Sequence, residues 1–367
     1  MARVRPPVNL SLTAEYADES AASSPWMFGL GSDIPLERRD AAAARLGAAD
    51  LRIAKARFDL ADQVWAMRRA VRAATVDLQS ADEEIARAQD LEARRTIVLQ
   101  GAQARARAGE DPVTAQVRAQ TELAAARGAV SAARQREAAA RSAMASALAV
   151  NDVGTLVLAA EPAPADGVDL RSWRGRAALT RSGILSALAD YDLAEAALRG
   201  EIARQYPAVS IGPGFQWERG LVKLPFDLNL SLPPAGRNAA GIAAAEAART
   251  SAARALETAQ ASVLNDFDAA AAEVQTTRAE AARVEAQDVP AARQTADLAI
   301  QLARAGRADR LEVDAAEAAY AQARLDAVEA RRKYRHALAA PEDAARATFD
   351  PADQAVIAQT LEQLGAP

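Results

Sequence analysis

Two pairs of short stretches with strict period-two alternation interrupt a chain that otherwise reads as helix. They limit its fold more than any other feature. Residues 8–16 read VNLSLTAEY, with Val8, Leu10, Leu12, Ala14 and Tyr16 alternating with Asn9, Ser11, Thr13 and Glu15. Such a pattern makes a strand with one apolar and one polar face. PWMFGLGSDIPL (25–36) puts Trp26, Phe28, Leu30, Ile34 and Leu36 on one side, with Ser32 as the exception. The spacing predicts a hairpin within 1–36, its strands over about 8–16 and 26–36. A second hairpin is predicted over 207–234. There Val209, Ile211, Phe215 and Trp217 alternate with Ser210, Gly212, Gly214 and Gln216. Val222, Leu224, Phe226, Leu228, Leu230 and Leu232 then alternate with Lys223, Asp227, Asn229 and Ser231.

Everything else favours helix. Half the residues are hydrophobic but only 4% are aromatic, and most of the apolar content is Ala. Ala, Arg, Glu, Leu and Gln are good helix formers, and small side chains let helices pack closely. From Glu37 to about Leu99 no Pro intervenes. A helix of about sixty residues would be about 95 Å long. A first helical hairpin is expected over 37–150 with its tip near 109–112. Gly109 suits a left-handed C-terminal cap, and Asp111-Pro112 suits an N-cap followed by the first helical residue. Residues 151–171 read as a linker and 172–206 as one helix leading to the second hairpin. A second helical hairpin is expected over 235–340, starting near Asn238 and broken at Asp288-Val289-Pro290, with its tip near 306–310. The tail, 341–367, is mixed.

The chain repeats itself. Val8-Asn9-Leu10 matches Val209-Ser210-Ile211, 201 positions later; Pro35, Arg39 and Asp40 match Pro233, Arg237 and Asn238, 198 later. ARAG ending at Gly109 matches ARAG ending at Gly306, 197 later. So long a period is a single duplication, not a solenoid.

Several function classes are disfavoured. A net charge of −5 gives no global basis for nucleic-acid binding. No cysteine means no disulfide and no thiolate metal site. The one histidine, His336 in RRKYRH, reads as a surface or partner-contacting residue. With carboxylates alone as plausible ligands, no metal site is indicated. No Gly-rich phosphate loop and no nucleophile constellation is present, so neither an enzyme nor a cofactor is expected. No segment approaches the roughly 18 apolar residues of a membrane helix, and MARVRPPVNLSLTAEY has no apolar signal core.

Two hairpins alone are marginally stable. A small soluble sheet capping a coiled coil is one reading of them. The other is membrane strands, which are 9–11 residues long, with apolar residues outward and aromatics near the interfaces. Trp26, Phe28, Phe215, Trp217 and Phe226 fit that pattern as membrane-interface aromatics. Gly29, Gly31, Gly212 and Gly214 then fall on the lumen face, where small residues permit curvature. Four strands cannot close a membrane barrel, which needs at least eight, so several copies would share one.

The chain resembles the TolC family of outer-membrane efflux channels, closest to the branch serving heavy-metal (cobalt-zinc-cadmium type) pumps of the resistance-nodulation-division class. The second half carries PAVSIGPGFQWERG, LPFDLNLSLPPAGRNAAGIAAAEAAR (224–249) and VPAARQTADLAIQLARAGRADRLEVDAAEAAYAQARLDAV (289–328). The first half carries RPPVNLSLTAEY, SPWMFGLGSDIPLERRDAAAA and ARAGEDPVTAQVRAQTELAAA. The resemblance implies a mainly α fold with a small β part and four strands per protomer. Three copies would share a twelve-stranded outer-membrane barrel and a periplasmic α-barrel. It also implies a periplasmic adaptor, an inner-membrane pump and outer-membrane lipid as partners, with metal cations or drugs passing through. Asp309, Glu312 and Asp314 are then candidates for the periplasmic aperture, although Asp309 with Glu312 also reads as a helix capping box and Asp314 as solvent-facing. Gly109, Glu110, Asp111, Gly306 and Arg307 are candidates for adaptor contact. The duplication further predicts a helix of about thirty-five residues before Met1, with a secretion signal before that; the lipidated cysteine frequent in this branch is not in the sequence. The rivals are a periplasmic adaptor, which would have one helical hairpin and more strands, and a cytoplasmic Ala-rich coiled-coil scaffold, which leaves the strands unexplained.

Overall fold

The computed structural model describes residues 7–16, 24–154, 158, 170–218, 220–232 and 238–365. Pro233, Arg237, most of the loop after Tyr16 and most of the 151–171 linker lie outside the described residues. Strands β1 (Asn9–Tyr16) and β2 (Trp26–Leu36) form an antiparallel hairpin, with Leu12 opposite Leu30 and Tyr16 opposite Trp26. β2 pairs antiparallel with β3 (Ala208–Glu218), Phe28 opposite Trp217. The next strand comes in two pieces, β4 (Leu221–Lys223) and β5 (Phe226–Ser231), both on β3. The alternation predicts one strand there. Pro225 divides it, because proline has no N–H for the ladder. Its carbonyl still accepts from the Gly214 N–H at 2.9 Å, and both pieces keep one register, Lys223 opposite Gln216 and Phe226 opposite Pro213.

Helices α1 (Arg39–Arg107) and α2 (Val113–Ala147) follow the first hairpin. α1 continues past Leu99 to the turn itself. Pro112, not Asp111, is the N-cap of α2; the Asp111 side chain is taken by Arg105. The helix expected over 172–206 is two, α3 (Leu170–Thr180) and α4 (Ser182–Ala203). Thr180-Arg181-Ser182-Gly183 is a run of mostly weak helix formers. The Thr180 hydroxyl donates to the carbonyls of Arg176 at 3.0 Å and Ala345 at 3.3 Å. After β5 come α5 (Ala239–Arg283), a π-turn (Val284–Asp288), α6 (Val289–Arg304) and α7 (Arg310–Ala337). The expected break at Asp288-Val289-Pro290 is therefore a single wide turn inside a continuous helical path. Asp288 makes no N-terminal cap. The tail forms α8 (Ala339–Ala345) and α9 (Pro351–Gln363).

The chain divides into two compact units. One comprises residues up to Leu60 with Ser182–Ala261, the other Ala61–Arg181 with Ser262–Gly365. The first holds the sheet, the start of α1, α4 and the start of α5. There Lys55 meets Asp190 at 2.5 Å, and Arg249 meets Glu195 at 3.2 Å. Asn238, at φ +57°, donates from its side-chain amide to the Glu201 carbonyl at 3.0 Å, just before α5 begins.

In the second unit α1, α2 and α7 share seams of small residues. Ala88, Leu91, Ala126, Val130, Ala321 and Leu325 form one cluster; Val98, Ala102, Ala119 and Ala318 form another. Alanine has no rotamer entropy to lose on burial, so these seams close at little entropic cost. Three carboxylates, Glu84, Glu342 and Asp314, are buried among the described residues of this unit, and a buried charge is tolerated only when paired. Glu84 is held by Arg136. Glu342 accepts from Arg68 at 3.1 Å and from the Phe349 N–H at 2.6 Å. His336 lies on α7, its Nε2 2.6 Å from Asp77 Oδ1 on α1. Burial pushes the Asp77 carboxyl up, but the hydrogen bonds and charges of His336 and Arg332 outweigh it and hold it below the usual carboxylate range.

Candidate functional site

The sheet has two unlike faces. Register puts Leu12, Leu30 and Phe215 in one row, and Ala14, Phe28, Trp217 and Val222 in the next. Val209 with Leu230, Ile211 with Leu228 and Pro213 with Phe226 continue that face. It is apolar and open: Leu12 is 82% exposed and Phe226 67%. All five sequence-predicted aromatics lie on it. Trp26 stacks on Phe28 at 5.7 Å, Phe28 on Trp217 at 6.1 Å, and Tyr16 meets the edge of this group 5.1 Å from Trp26. Phe215 and Phe226 stand in other rows of the same face. The exception, Ser32, donates its hydroxyl to the Pro213 carbonyl at 2.7 Å.

The opposite face carries Ser11, Thr13, Glu15, Asp33, Asp227 and Asn229, together with the four glycines. These glycines let the strands draw together. A Cβ on Gly212 would stand 2.7 Å from the Ser32 carbonyl oxygen, and one on Gly31 would stand 2.6 Å from Ser11 Oγ. The outer strands, β1 on one side and β4 with β5 on the other, have no further partner strand among the described residues. A sheet with an exposed apolar face and two open edges is unfinished as a soluble object.

The second unit holds both turns at the far ends of the helical hairpins. They are built alike. At the first, Gly109 has φ +76°, its N–H donates to Ala106 O, and Glu110 N–H donates to Arg105 O. At the second, Gly306 has φ +71°, its N–H donates to Ala303 O, and Arg307 N–H donates to Leu302 O. Both are six-to-one glycine caps that satisfy the last carbonyls of a helix. Arg105 joins the turns. Its guanidinium grips Asp111 at 2.7 and 3.0 Å and also pairs with Asp309. The bond to Asp111 raises its already high pKa further. Asp309 is the N-cap of α7 and accepts from the Glu312 N–H at 2.8 Å. Glu312, Glu110 and Arg307 are exposed. Asp314, read from sequence as solvent-facing, is buried and bound by Arg310 at 3.0 Å. Burial follows its place beside Val313 and Ala318 on the packed side of α7. Arg105 itself escaped the sequence reading, because the matching position in the second half is Leu302.

Among the described residues no group of three or more His, Cys, Asp or Glu side chains is placed to hold a metal ion, and no helix is long and apolar enough to cross a membrane. The latter says nothing of a β-barrel.

The profile of the family described as outer membrane efflux protein matches residues 2–150 and 173–341. The chain belongs to that family. It is a family of efflux ducts rather than a family of enzymes, and the match does not favour the adaptor or the scaffold reading. No curated protein matches. Solved structures show the fold. A membrane protein from Pseudomonas aeruginosa superposes with a TM-score of 0.72 at 19% identity, covering 95% of this chain and 82% of that one. The outer membrane protein VceC from Vibrio cholerae gives 0.73 at 16% identity, over 94% and 87%. The MtrE outer membrane channel of Neisseria gonorrhoeae, in its open state, gives 0.71 at 16%, over 94% and 81%. This outer membrane efflux protein therefore has the mainly helical, TolC-like channel fold with a small antiparallel sheet.

Proposed function

We propose that this protein is the outer-membrane exit duct of a tripartite efflux pump. The carrying observation is the sheet: one apolar aromatic face, one polar glycine-bearing face and two open edges. β1 and β5 run in opposite directions, so copies joined edge to edge continue an antiparallel sheet. Three copies supply twelve strands, within the range of closed membrane barrels. The apolar face then meets lipid and the polar face lines the lumen, with Trp26, Phe28, Phe215, Trp217 and Phe226 facing the membrane. The helical hairpins extend into the periplasm.

The two capped turns at Gly109-Glu110-Asp111 and Gly306-Arg307 are the adaptor contacts, and the adaptor links the duct to an inner-membrane pump. Glu312 is the best placed of the acidic residues to line the periplasmic aperture, since Asp309 caps α7 and Asp314 is buried. Carboxylates there favour cations, which accords with the heavy-metal branch that the sequence resembles most. A photocrosslinking residue at Glu110 or Arg307, in cells expressing the adaptor, should capture it; one on the lipid face at Leu228 should not. Equal capture from all three positions would remove the assignment of the tips.

A further inference from the structure

The two ends of the sheet are finished differently. Tyr16, Trp26, Phe28 and Trp217 cluster at the loop end. At the helix end the apolar face is aliphatic, with Ile34 beside Ile211 and Leu36 beside Val209. Membrane interfaces favour aromatic rings and long cations, which keep an apolar body in lipid and a polar tip in water. The helix end supplies that pair just beyond its last row. Arg38 follows Leu36 by two residues, the spacing that returns a strand to the same face. Its guanidinium lies 4.1 Å from the centre of the Tyr206 ring.

Arg38 and Tyr206 line one end of a groove of about 640 Å³ between the start of α1 and the end of α4. Ala43 and Ala44 of α1 and Ala196 and Ala203 of α4 line its length, and side chains so small leave the space between the helices open. Its charged lining residues are Arg38 and Arg199 against Asp40, Asp192 and Glu195. Both signs are present, with one carboxylate in excess. An anionic ligand meets repulsion there, while a zwitterionic one finds a partner for each of its charges. The pairs already in place are long: Arg38 to Asp40 at 3.4 Å, with side chains 44% and 80% exposed, and Arg199 to Glu195 at 3.4 Å. Exposed pairs of this kind contribute little, so a ligand that offers each charge a better partner displaces them readily.

We propose that this groove holds the headgroup of one phosphatidylethanolamine from the periplasmic leaflet of the membrane. The phosphate lies against Arg38 and the ammonium against Asp40, and the acyl chains run up the aliphatic end of the sheet. An ethanolamine ammonium has three N–H donors for the carboxylate, as a lysine has, whereas a choline has none. The groove and its charges stand on this geometry; that a lipid leaflet reaches them rests on the duct reading.

Native mass spectrometry of the full chain in detergent tests the proposal, with phosphatidylethanolamine, phosphatidylcholine and phosphatidylglycerol of identical acyl chains added in equal amounts. Wild type should retain the ethanolamine lipid about fivefold over each of the others, the value of one exposed charged pair. Asp40→Asn should bring the ethanolamine and choline lipids level, and Arg38→Gln should lower retention of the ethanolamine lipid about fivefold. Arg204→Gln, a 73% exposed arginine outside the groove lining, is the control and should change neither. Equal retention of all three lipids by wild type, a preference for the glycerol lipid, or an ethanolamine preference that survives Asp40→Asn and Arg38→Gln would overturn the site. Insertion of the same sample into phosphatidylcholine vesicles keeps the two readings apart. A chain that inserts but shows no headgroup preference overturns the groove alone, and one that fails to insert overturns the duct reading and the groove with it.

Discussion

Gly212→Ala measures how tightly the sheet must close. The added Cβ would stand 2.7 Å from the Ser32 carbonyl oxygen and 3.3 Å from Asp227 Cβ. Carbon and carbonyl oxygen approach to about 3.3 Å at closest, so the strands must part by about 0.6 Å. The blocking atom is backbone, held by the β2–β3 ladder, and cannot rotate away. Overpacking of this kind costs about 1–3 kcal/mol. Gly47→Ala is the control. Gly47 lies inside α1 with nothing within 4 Å of its would-be Cβ, and replacing a helical glycine by alanine gains about 0.5–1 kcal/mol. The two variants should move in opposite directions. Urea unfolding in lipid vesicles, followed by tryptophan emission, gives both midpoints; Trp26 and Trp217 report on the sheet. A Gly212→Ala midpoint equal to or above that of Gly47→Ala would refute the close approach and the curvature inferred from it.

Leu12→Arg places a charge on the exposed apolar face and should cost about 2–4 kcal/mol in vesicle insertion, while Thr13→Arg on the polar face costs much less; folding yields into vesicles compare them. Arg136→Ala leaves the buried Glu84 carboxylate unpaired and should destabilise by about 3–5 kcal/mol, with Glu84→Gln in the same chain restoring part of the loss on thermal unfolding. Asp77 is held below the usual carboxylate range, so its contribution is fully present above about pH 3.8 and lost as pH falls through its lowered folded value. Asp77→Asn should therefore narrow the stability difference between neutral and acid pH in a urea series.

Much of the fold was legible in the sequence, because period two and the duplication leave few alternatives. Leu12, Leu30 and Phe215 fall in one row as their alternation requires. Both ARAG segments cap a helix in the same way because glycine alone takes their positive φ without strain. Local chemistry that competes with the pattern was harder to read. Pro225 splits a strand without shifting its register. Pro290 widens a helix where a break was expected, since the chain has room to add one turn of different pitch. Residues whose role depends on distant partners were not legible at all. Glu84 and Glu342 look like ordinary exposed helix positions, yet arginines from other helices make their burial possible. Arg105 joins two turns that are 197 residues apart in sequence, and no local signal marks it. Asp309 carried its capping role openly, through the acidic residue three positions later.

The central claim is that several copies complete one membrane channel. It is tested most directly by single-channel recording of the purified full chain in planar lipid bilayers, with the mass of the detergent-solubilised particle measured on the same sample. The account predicts discrete conductance steps from a particle containing three 38.5 kDa chains. A monomeric particle that inserts into lipid without conducting would contradict it.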